Sequence, residues 1–315
     1  TLQAFLAARP GFALPSIVTI KTHSEIPVGY LSGARKGLVT RSAGYDHVEH
    51  LVRRANVTSL REYCVEAVAQ TAIKFLYAAA GNLNGYAVRA ASFDRKGCEA
   101  FMELGPRRTL TVFGVGRIGK RICELAEANG LTVQGVDLCA DELSRAYGGS
   151  VRFVSKEQAL ATSDAIVCAM NLTRSRRSRF CNVGYFSEAA LAKARRGLIF
   201  INVTRGEIAP ESGLLALVRS GRIGGLGLDV FSSESELAAL LSEGPGRAGG
   251  SADVCAAREL VRMALERRGN VYVQPHQAFN SDLAAKAKAV ETLRHVAAWF
   301  RNGGERFDSQ LPYVR

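Results

Sequence analysis

The sequence holds no pair of cysteines in a C-x-x-C spacing. Its seven cysteines stand at 64, 98, 123, 139, 168, 181 and 255, a scatter that argues against zinc ribbons and redox dithiols. An odd number of dispersed cysteines fits a reducing compartment, where thiols act as small buried hydrophobes. A cytoplasmic location and no metal site are expected. No apolar run reaches the roughly 18–20 residues that cross a bilayer. The start, Thr1-Leu2-Gln3-Ala4-Phe5, has no basic n-region or cleavage site, so no signal peptide is expected. It also lacks a Met, which leaves open a missing or processed start. Acidic residues are fewer than basic ones, 29 against 41, giving a net charge of +12. That charge suits nucleic-acid or membrane binding, or else a surface that draws in small anions. The densest basic stretch, Arg174 to Arg179, has no interleaved aromatics and matches no nucleic-acid motif. The second reading is therefore preferred, and neither a nucleic-acid nor a membrane partner is expected.

What is present reads as an α/β protein. At 315 residues the chain exceeds one ordinary core, so two domains are expected. Strands are predicted at 16–20, 37–41, 109–114, 132–137, 151–154, 164–169, 198–203, 224–228 and 270–274. A helix-like stretch lies between the first two, around Pro27 to Lys36, and an Ala-rich helix runs from Val65 to Ala80. Short apolar strands alternating with helices indicate parallel sheets covered by helices on both faces. The expected fold is thus two doubly wound parallel-sheet domains. Asn82 to Pro106 has little periodicity and is predicted to wind over the surface. Ser242 to Ser251 is Gly-rich and predicted to form a loop, before a helix from about Asp253 to Arg268.

The most specific signal spans Thr109 to Asp137. Gly114, Gly116 and Gly119 form G-x-G-x-x-G between an apolar strand and a helix predicted over Arg117 to Asn129. Gly114 permits a tight turn, Gly116 lets a pyrophosphate approach the backbone, and Gly119 lets the helix pack closely. The amides of Arg117 and Ile118 would face that pyrophosphate at the positive end of the helix dipole. Asp137 follows about 20 residues on, where its carboxylate can accept from ribose hydroxyls and would repel a 2′-phosphate. The following Leu138-Cys139-Ala140 offers no cation, so NAD is expected rather than NADP.

Three later segments end strands in reactive side chains. They are Asn202-Val203-Thr204-Arg205-Gly206, Leu228-Asp229-Val230-Phe231-Ser232-Ser233-Glu234 and Pro275-His276-Gln277-Ala278. An Arg at a strand's C-terminal edge can fork onto a carboxylate and polarise a neighbouring carbonyl. A His there can exchange a proton with that carbonyl in either direction. Taken singly, each residue also has a plain structural reading: a surface ion pair, a solvated loop acid, a packed histidine.

Together the segments match N-x-x-R-G, L-D-V-[FY]-x-x-E and P-H-x-A, in order, after the dinucleotide motif. The chain resembles the D-isomer-specific 2-hydroxyacid dehydrogenases from about residue 37 to 302, and the H-Q-A-F form around His276 looks particularly like D-lactate dehydrogenases. The resemblance implies a Rossmann NAD-binding domain at 63–280 and a smaller flavodoxin-like catalytic domain at 1–62 plus 281–315. It implies hydride transfer between NAD(H) and a small 2-hydroxy or 2-keto acid in a cleft between the domains. Arg205, Glu234 and His276 would be catalytic, with Glu234 favouring the protonated imidazole. Asn171, Val203, Thr204 and Asp229 would join the cofactor contacts, Asp229 at the nicotinamide end. Arg41-Ser42-Ala43-Gly44-Tyr45-Asp46 is similar to the family's R-x-x-G-x-D turn, so Ala43 and Gly44 amides would hold the substrate carboxylate. Tyr63 has two readings, a substrate-facing aromatic or a packed hinge residue. His47 and His50 are expected at the surface. A homodimer is implied through the cofactor domain.

The chain departs from the family's pattern in places. The family's opening strand is not seen, Cys64-Val65 stands for a common Ser-Pro, Gln70 for a common Glu, and Asn171 for a usual Pro. The acid itself stays open: a phosphorylated one would need extra cations by the cleft, and the sequence does not place any there. The other class of function is an NAD-sensing regulator like the C-terminal-binding corepressors, which keep the same triad.

Overall fold

A computed structural model describes residues 2–22, 24–93, 95–242 and 249–313. The chain folds as two compact units, Thr1–Val65 with Asn280–Arg315, and Glu66–Phe279.

The first unit opens with the short helix α1 (Leu2–Ala7) and carries three parallel strands in the order β1 (Ile17–Ile20), β2 (Lys36–Thr40), β3 (Ala55–Ser59). The last of these was not among the predicted strands. The helix expected over Pro27 to Lys36 is only a 3-10 turn, Val28–Leu31. Gly29 and Gly33 lower helix propensity there, and Tyr30 is fully buried against the sheet core instead. The outer edge of β3 is covered by the chain's last described residues. Leu311 N–H donates to Val57 O at 2.7 Å, and Thr58 Oγ1 donates to Ser309 O at 2.8 Å. The unit's long helix α11 (Asp282–Arg301) starts at a Ser281 N-cap and sets buried Trp299 against Gly37 of β2.

The second unit contains α2 (Val65–Ala80), α3 (Leu83–Ala90), β4 (Thr109–Phe113), α4 (Arg117–Ala128), β5 (Thr132–Val136), α5 (Ala140–Ala146), β6 (Arg152–Phe153), α6 (Lys156–Thr162), β7 (Ala165–Cys168), α7 (Glu188–Leu191), β8 (Leu198–Asn202), α8 (Glu211–Arg219), β9 (Ile223–Leu228), α9 (Glu234–Ser242), α10 (Ala252–Leu265) and β10 (Val271–Val273). Its seven strands are all parallel, in the order β10-β9-β8-β7-β4-β5-β6. Strands β4, β7 and β8 are almost wholly buried, as continuous apolar runs must be when both sheet faces are covered. The strand order reverses between β4 and β7, which marks the carboxyl edge there as a ligand site. Glycines 225 and 227 let α2 lie directly on β9: a Cβ at Gly227 would come within 2.7 Å of Phe75.

Two expectations change here. Asn82 to Pro106 is not irregular throughout, because α3 occupies its first part with Asn82 as N-cap, accepting from Gly85 N–H. That helix buries none of its residues, so it has no apolar stripe to read. Of the seven cysteines, only 64, 123 and 168 are buried, and all seven are free thiols. Part of the predicted loop, 243–248, lies outside the described residues; Ser251 at its end N-caps α10.

Candidate active site

At the end of β4 the chain turns through Gly114 at φ +87°, and a Cβ there would meet the Ala169 carbonyl at 2.8 Å. Any side chain would collide on both counts. A Cβ on Gly119 would sit 2.0 Å from Gly114 O, so α4 begins pressed against the turn. Gly116 N-caps α4 with no side-chain cap, and nothing lies within 4 Å of where its Cβ would be. This is an open approach to a helix N-terminus, the geometry a pyrophosphate needs. Asp137 directly follows β5 and braces the turn: Oδ2 accepts Val115 N–H at 2.8 Å and Oδ1 accepts Cys139 N–H at 2.9 Å. Each oxygen keeps a second lone pair for a ribose hydroxyl. Tyr147 secures the turn from outside by donating to Val115 O at 2.9 Å. These residues fit a dinucleotide. Asn171 is exposed past β7, and its carbonyl accepts from Asn182 Nδ2 at 2.7 Å. Val203 is buried, and Thr204 donates through N–H and hydroxyl to Asn202 Oδ1, both at 3.1 Å.

Arg205 follows in extended backbone, with Nη1 donating to Thr204 O at 2.9 Å. Gly206 locks this segment to the next one, since a Cβ there would fall 2.0 Å from Phe231 C. Glu234 is not a loop acid: it is the first residue of α9, where a carboxylate suits the helix dipole. Its two oxygens lie 2.9 and 3.0 Å from His276 Nδ1. Burial raises the Glu234 carboxyl, but the His276 hydrogen bond and charge, Phe231 N–H and Arg205 outweigh it and hold it below its ordinary value. A carboxylate on Nδ1 places a proton there and leaves Nε2 as the ring nitrogen for proton exchange. The two side chains are 37% and 40% exposed, open enough to receive a small molecule.

His276 stands at φ +50°, a left-handed conformation that non-glycine residues adopt at a cost. Its N–H donates to Asp229 O at 2.7 Å. The Asp229 carboxylate, 1% exposed, accepts from Gln277 N–H at 2.8 Å, Ala278 N–H at 3.1 Å and Gln274 Nε2 at 2.6 Å. Burial pushes this carboxyl up, and Gln274, the two amides and the His276 charge only partly offset it. Lys74 of α2 donates to Gln274 Oε1 at 2.7 Å. Asp229, expected at the nicotinamide end, thus also holds the loop on which His276 is mounted. A second buried carboxylate, Glu211, binds the Ser232 N–H and hydroxyl at 2.6 and 2.7 Å and so fixes the approach to Glu234. Burial pushes Glu211 up, against both Ser232 bonds.

The remaining candidates belong to the first unit. Ala43 and Gly44 form a turn past β2, tied by Ser42 Oγ donating to Gly44 O at 2.7 Å. Tyr63 is 8% exposed with Lys288 Nζ 5.0 Å from its ring centre. Glu291 of α11 accepts the Arg61, Glu62 and Tyr63 amides at 2.7–3.2 Å. His50 is exposed as expected, but His47 is half-buried with Nε2 2.8 Å from Thr40 Oγ1. The sequence reading missed Gln274, Lys74, Glu211 and Glu291. Only Gln274 carried a signal, being a polar residue directly before Pro-His.

Residues 85–278 match the family model described as D-isomer specific 2-hydroxyacid dehydrogenase, NAD binding domain. The 2-hydroxyacid dehydrogenase A of Aspergillus oryzae is 28% identical over 279 residues, 85% of this chain and 72% of its own. The D-lactate dehydrogenase kk1H of Curvularia clavata is 26% identical over 279 residues, 86% and 73% of the two chains. The fold is shared with Aquifex aeolicus D-lactate dehydrogenase in complex with NAD and lactic acid, at TM-score 0.75 and 24% identity over 92% and 84% of the chains. It is shared also with a D-2-hydroxyisocaproate dehydrogenase, at TM-score 0.76 and 21% identity over 98% and 89%. With the cofactor turn and the strand-end triplet in place, the chain belongs to the D-isomer specific 2-hydroxyacid dehydrogenases, NAD-dependent oxidoreductases of 2-hydroxy acids.

Proposed function

We propose that this enzyme interconverts a small 2-keto acid and its D-2-hydroxy acid, with Arg205, Glu234 and His276 as the reacting set. The observation that carries the reading is the His276–Glu234 contact of 2.9 Å, at the carboxyl edge of the sheet, with Arg205 close enough for its charge to act on Glu234. When bound, NADH supplies the hydride and NAD accepts it. His276 Nε2 gives its proton to the carbonyl oxygen on reduction and takes it back on oxidation. Glu234 fixes the ring through Nδ1 and balances the imidazolium charge. Arg205 holds the acid and draws electron density from its carbonyl. Gly114, Gly116, Gly119 and the first-turn amides of Arg117 and Ile118 would hold the pyrophosphate, and Asp137 the ribose. Asn171, Val203, Thr204 and Asp229 are the further cofactor contacts of this proposal. The carboxylate role of the Ala43 and Gly44 amides and the substrate-facing role of Tyr63 belong to the other unit and rest on the resemblance.

A homodimer and a cytoplasmic setting complete the reading. Tyr77, Leu83, Val88, Phe93 and Phe101 are all more than half exposed in one stretch of the second unit, which favours burial against a second copy. Free thiols support a reducing compartment. No helix among the described residues is long and apolar enough to cross a membrane.

The deciding experiment follows NADH absorbance with a panel of 2-keto acids. Consumption of NADH with formation of the D-acid is expected. NADH binding with no acid reduced would sink the proposal.

A further inference from the structure

Asp229 Oδ1 gathers the donors that hold the His276 loop: Gln274 Nε2 at 2.6 Å, Gln277 N–H at 2.8 Å and Ala278 N–H at 3.1 Å. The two backbone amides can only donate. A glutamine side chain can present either its nitrogen or its oxygen. Its orientation is settled at the far end, where Lys74 Nζ donates to Gln274 Oε1 at 2.7 Å. An ammonium has no acceptor and a carboxylate has no donor, so the cation on one side and the anion on the other admit a single orientation of the amide. The main chain of Gln274 is fixed as well: its N–H donates to Leu228 O at 3.0 Å, and its O accepts His276 N–H at 3.1 Å. The polarity thus runs from ammonium through amide to buried carboxylate, each bond strengthening the next. All of these residues lie in the second unit.

His276 depends on such a frame. Its backbone at φ +50° is a conformation that persists only where the surroundings over-determine it. We propose that Lys74, acting through Gln274, is a positioning residue for hydride transfer: it fixes the glutamine amide as a donor to Asp229 and so keeps His276 in its strained conformation. The proposal rests on the function given above, in which His276 exchanges the proton.

The test measures kcat, KM and melting temperature for wild type, Lys74→Met, Lys74→Arg, Gln274→Met and the double variant Lys74→Met with Gln274→Met, using the best 2-keto acid found for wild type. Lys74→Met should lower kcat about three- to tenfold, the scale of one hydrogen bond, and move KM by less than about twofold. Lys74→Arg keeps a cationic donor and should restore kcat to within about twofold of wild type. The double variant should lose no more than Gln274→Met alone, because without the amide the cation has no route to Asp229. Lys74 is exposed, so Lys74→Met should melt within about 2 °C of wild type. An undiminished kcat in Lys74→Met, a Lys74→Arg variant as slow as Lys74→Met, or losses that multiply in the double variant would each overturn this inference and leave the proposed function standing. A rate loss that comes with a larger fall in melting temperature marks a role in the fold alone and also overturns it. No turnover of any 2-keto acid by wild type that binds NADH overturns both.

Discussion

Removing the Asp229 carboxylate is the most demanding perturbation this structure suggests. Asp229→Ala leaves the Gln277 and Ala278 amides and the Gln274 side chain without their acceptor, at a buried position. Each orphaned buried N–H costs about 1–3 kcal/mol. Partial entry of water brings the sum to about 3 kcal/mol, which lowers the melting temperature by roughly 6–12 °C in a unit of this size. Asp229→Asn keeps an acceptor of the same shape and gives up only charge assistance, about 1 kcal/mol per bond before the saved desolvation is counted. Its melting temperature should fall by only a few degrees, roughly 2–4 °C. The sign of its pH dependence follows from burial. The folded Asp229 carboxyl is raised, so ionising it costs the fold stability as pH rises through that value. Asn has no such loss, so the deficit of Asp229→Asn should narrow from acid toward neutral pH. In activity, loosening the strained His276 backbone should lower kcat about tenfold or more in the Ala variant. Thermal unfolding followed by circular dichroism, with steady-state NADH oxidation, checks each part. An Ala variant melting within about 2 °C of wild type, or an Asn variant whose deficit widens with pH, would refute the reasoning.

Other outcomes follow from the same contacts. Arg205→Lys replaces a planar fork by a point charge and should lower kcat/KM by roughly 10–100-fold, read from substrate titrations. Asp137→Ala removes the acceptor of two turn amides and of the ribose hydroxyls; fluorescence titration should show NADH binding about tenfold weaker. Glu234→Gln should remove a stabilisation that wild type holds above the unfolded carboxyl value and loses as pH falls through the depressed folded value. The two proteins should then melt alike in acid and diverge toward neutral pH. Glu291→Ala strips one acceptor from three amides of the first unit, and should destabilise by about 2–4 kcal/mol in a denaturant titration.

The sequence was most legible where a function needs adjacent residues. Gly114 to Gly119, Asp137 and the three strand-end segments are short contiguous patterns, and the second unit's strands form where they were predicted, within a residue or two. What eluded reading is made by partners distant in the chain. Lys74 meets Gln274 across 200 residues, and Glu291 meets Tyr63 across 228. No periodicity records such pairs. Helix α3 was hidden for a different reason: with no buried face it leaves no apolar period to detect. Strand β3 went unread because Asn56, Thr58 and Ser59, all buried, look polar in sequence. Their side chains bond instead to the chain's last residues. The 3-10 turn at Val28–Leu31 shows tertiary burial of Tyr30 overriding an apparent helical pattern.

The most direct test of the account is His276→Gln, assayed with NADH and the best 2-keto acid found for wild type, alongside NADH binding by fluorescence. The account predicts NADH affinity within about twofold of wild type and kcat lower by roughly 10²–10⁴-fold, the scale of a lost general acid, with wild type forming only the D-hydroxy acid. Undiminished turnover in the variant, or an L product from wild type, would contradict it.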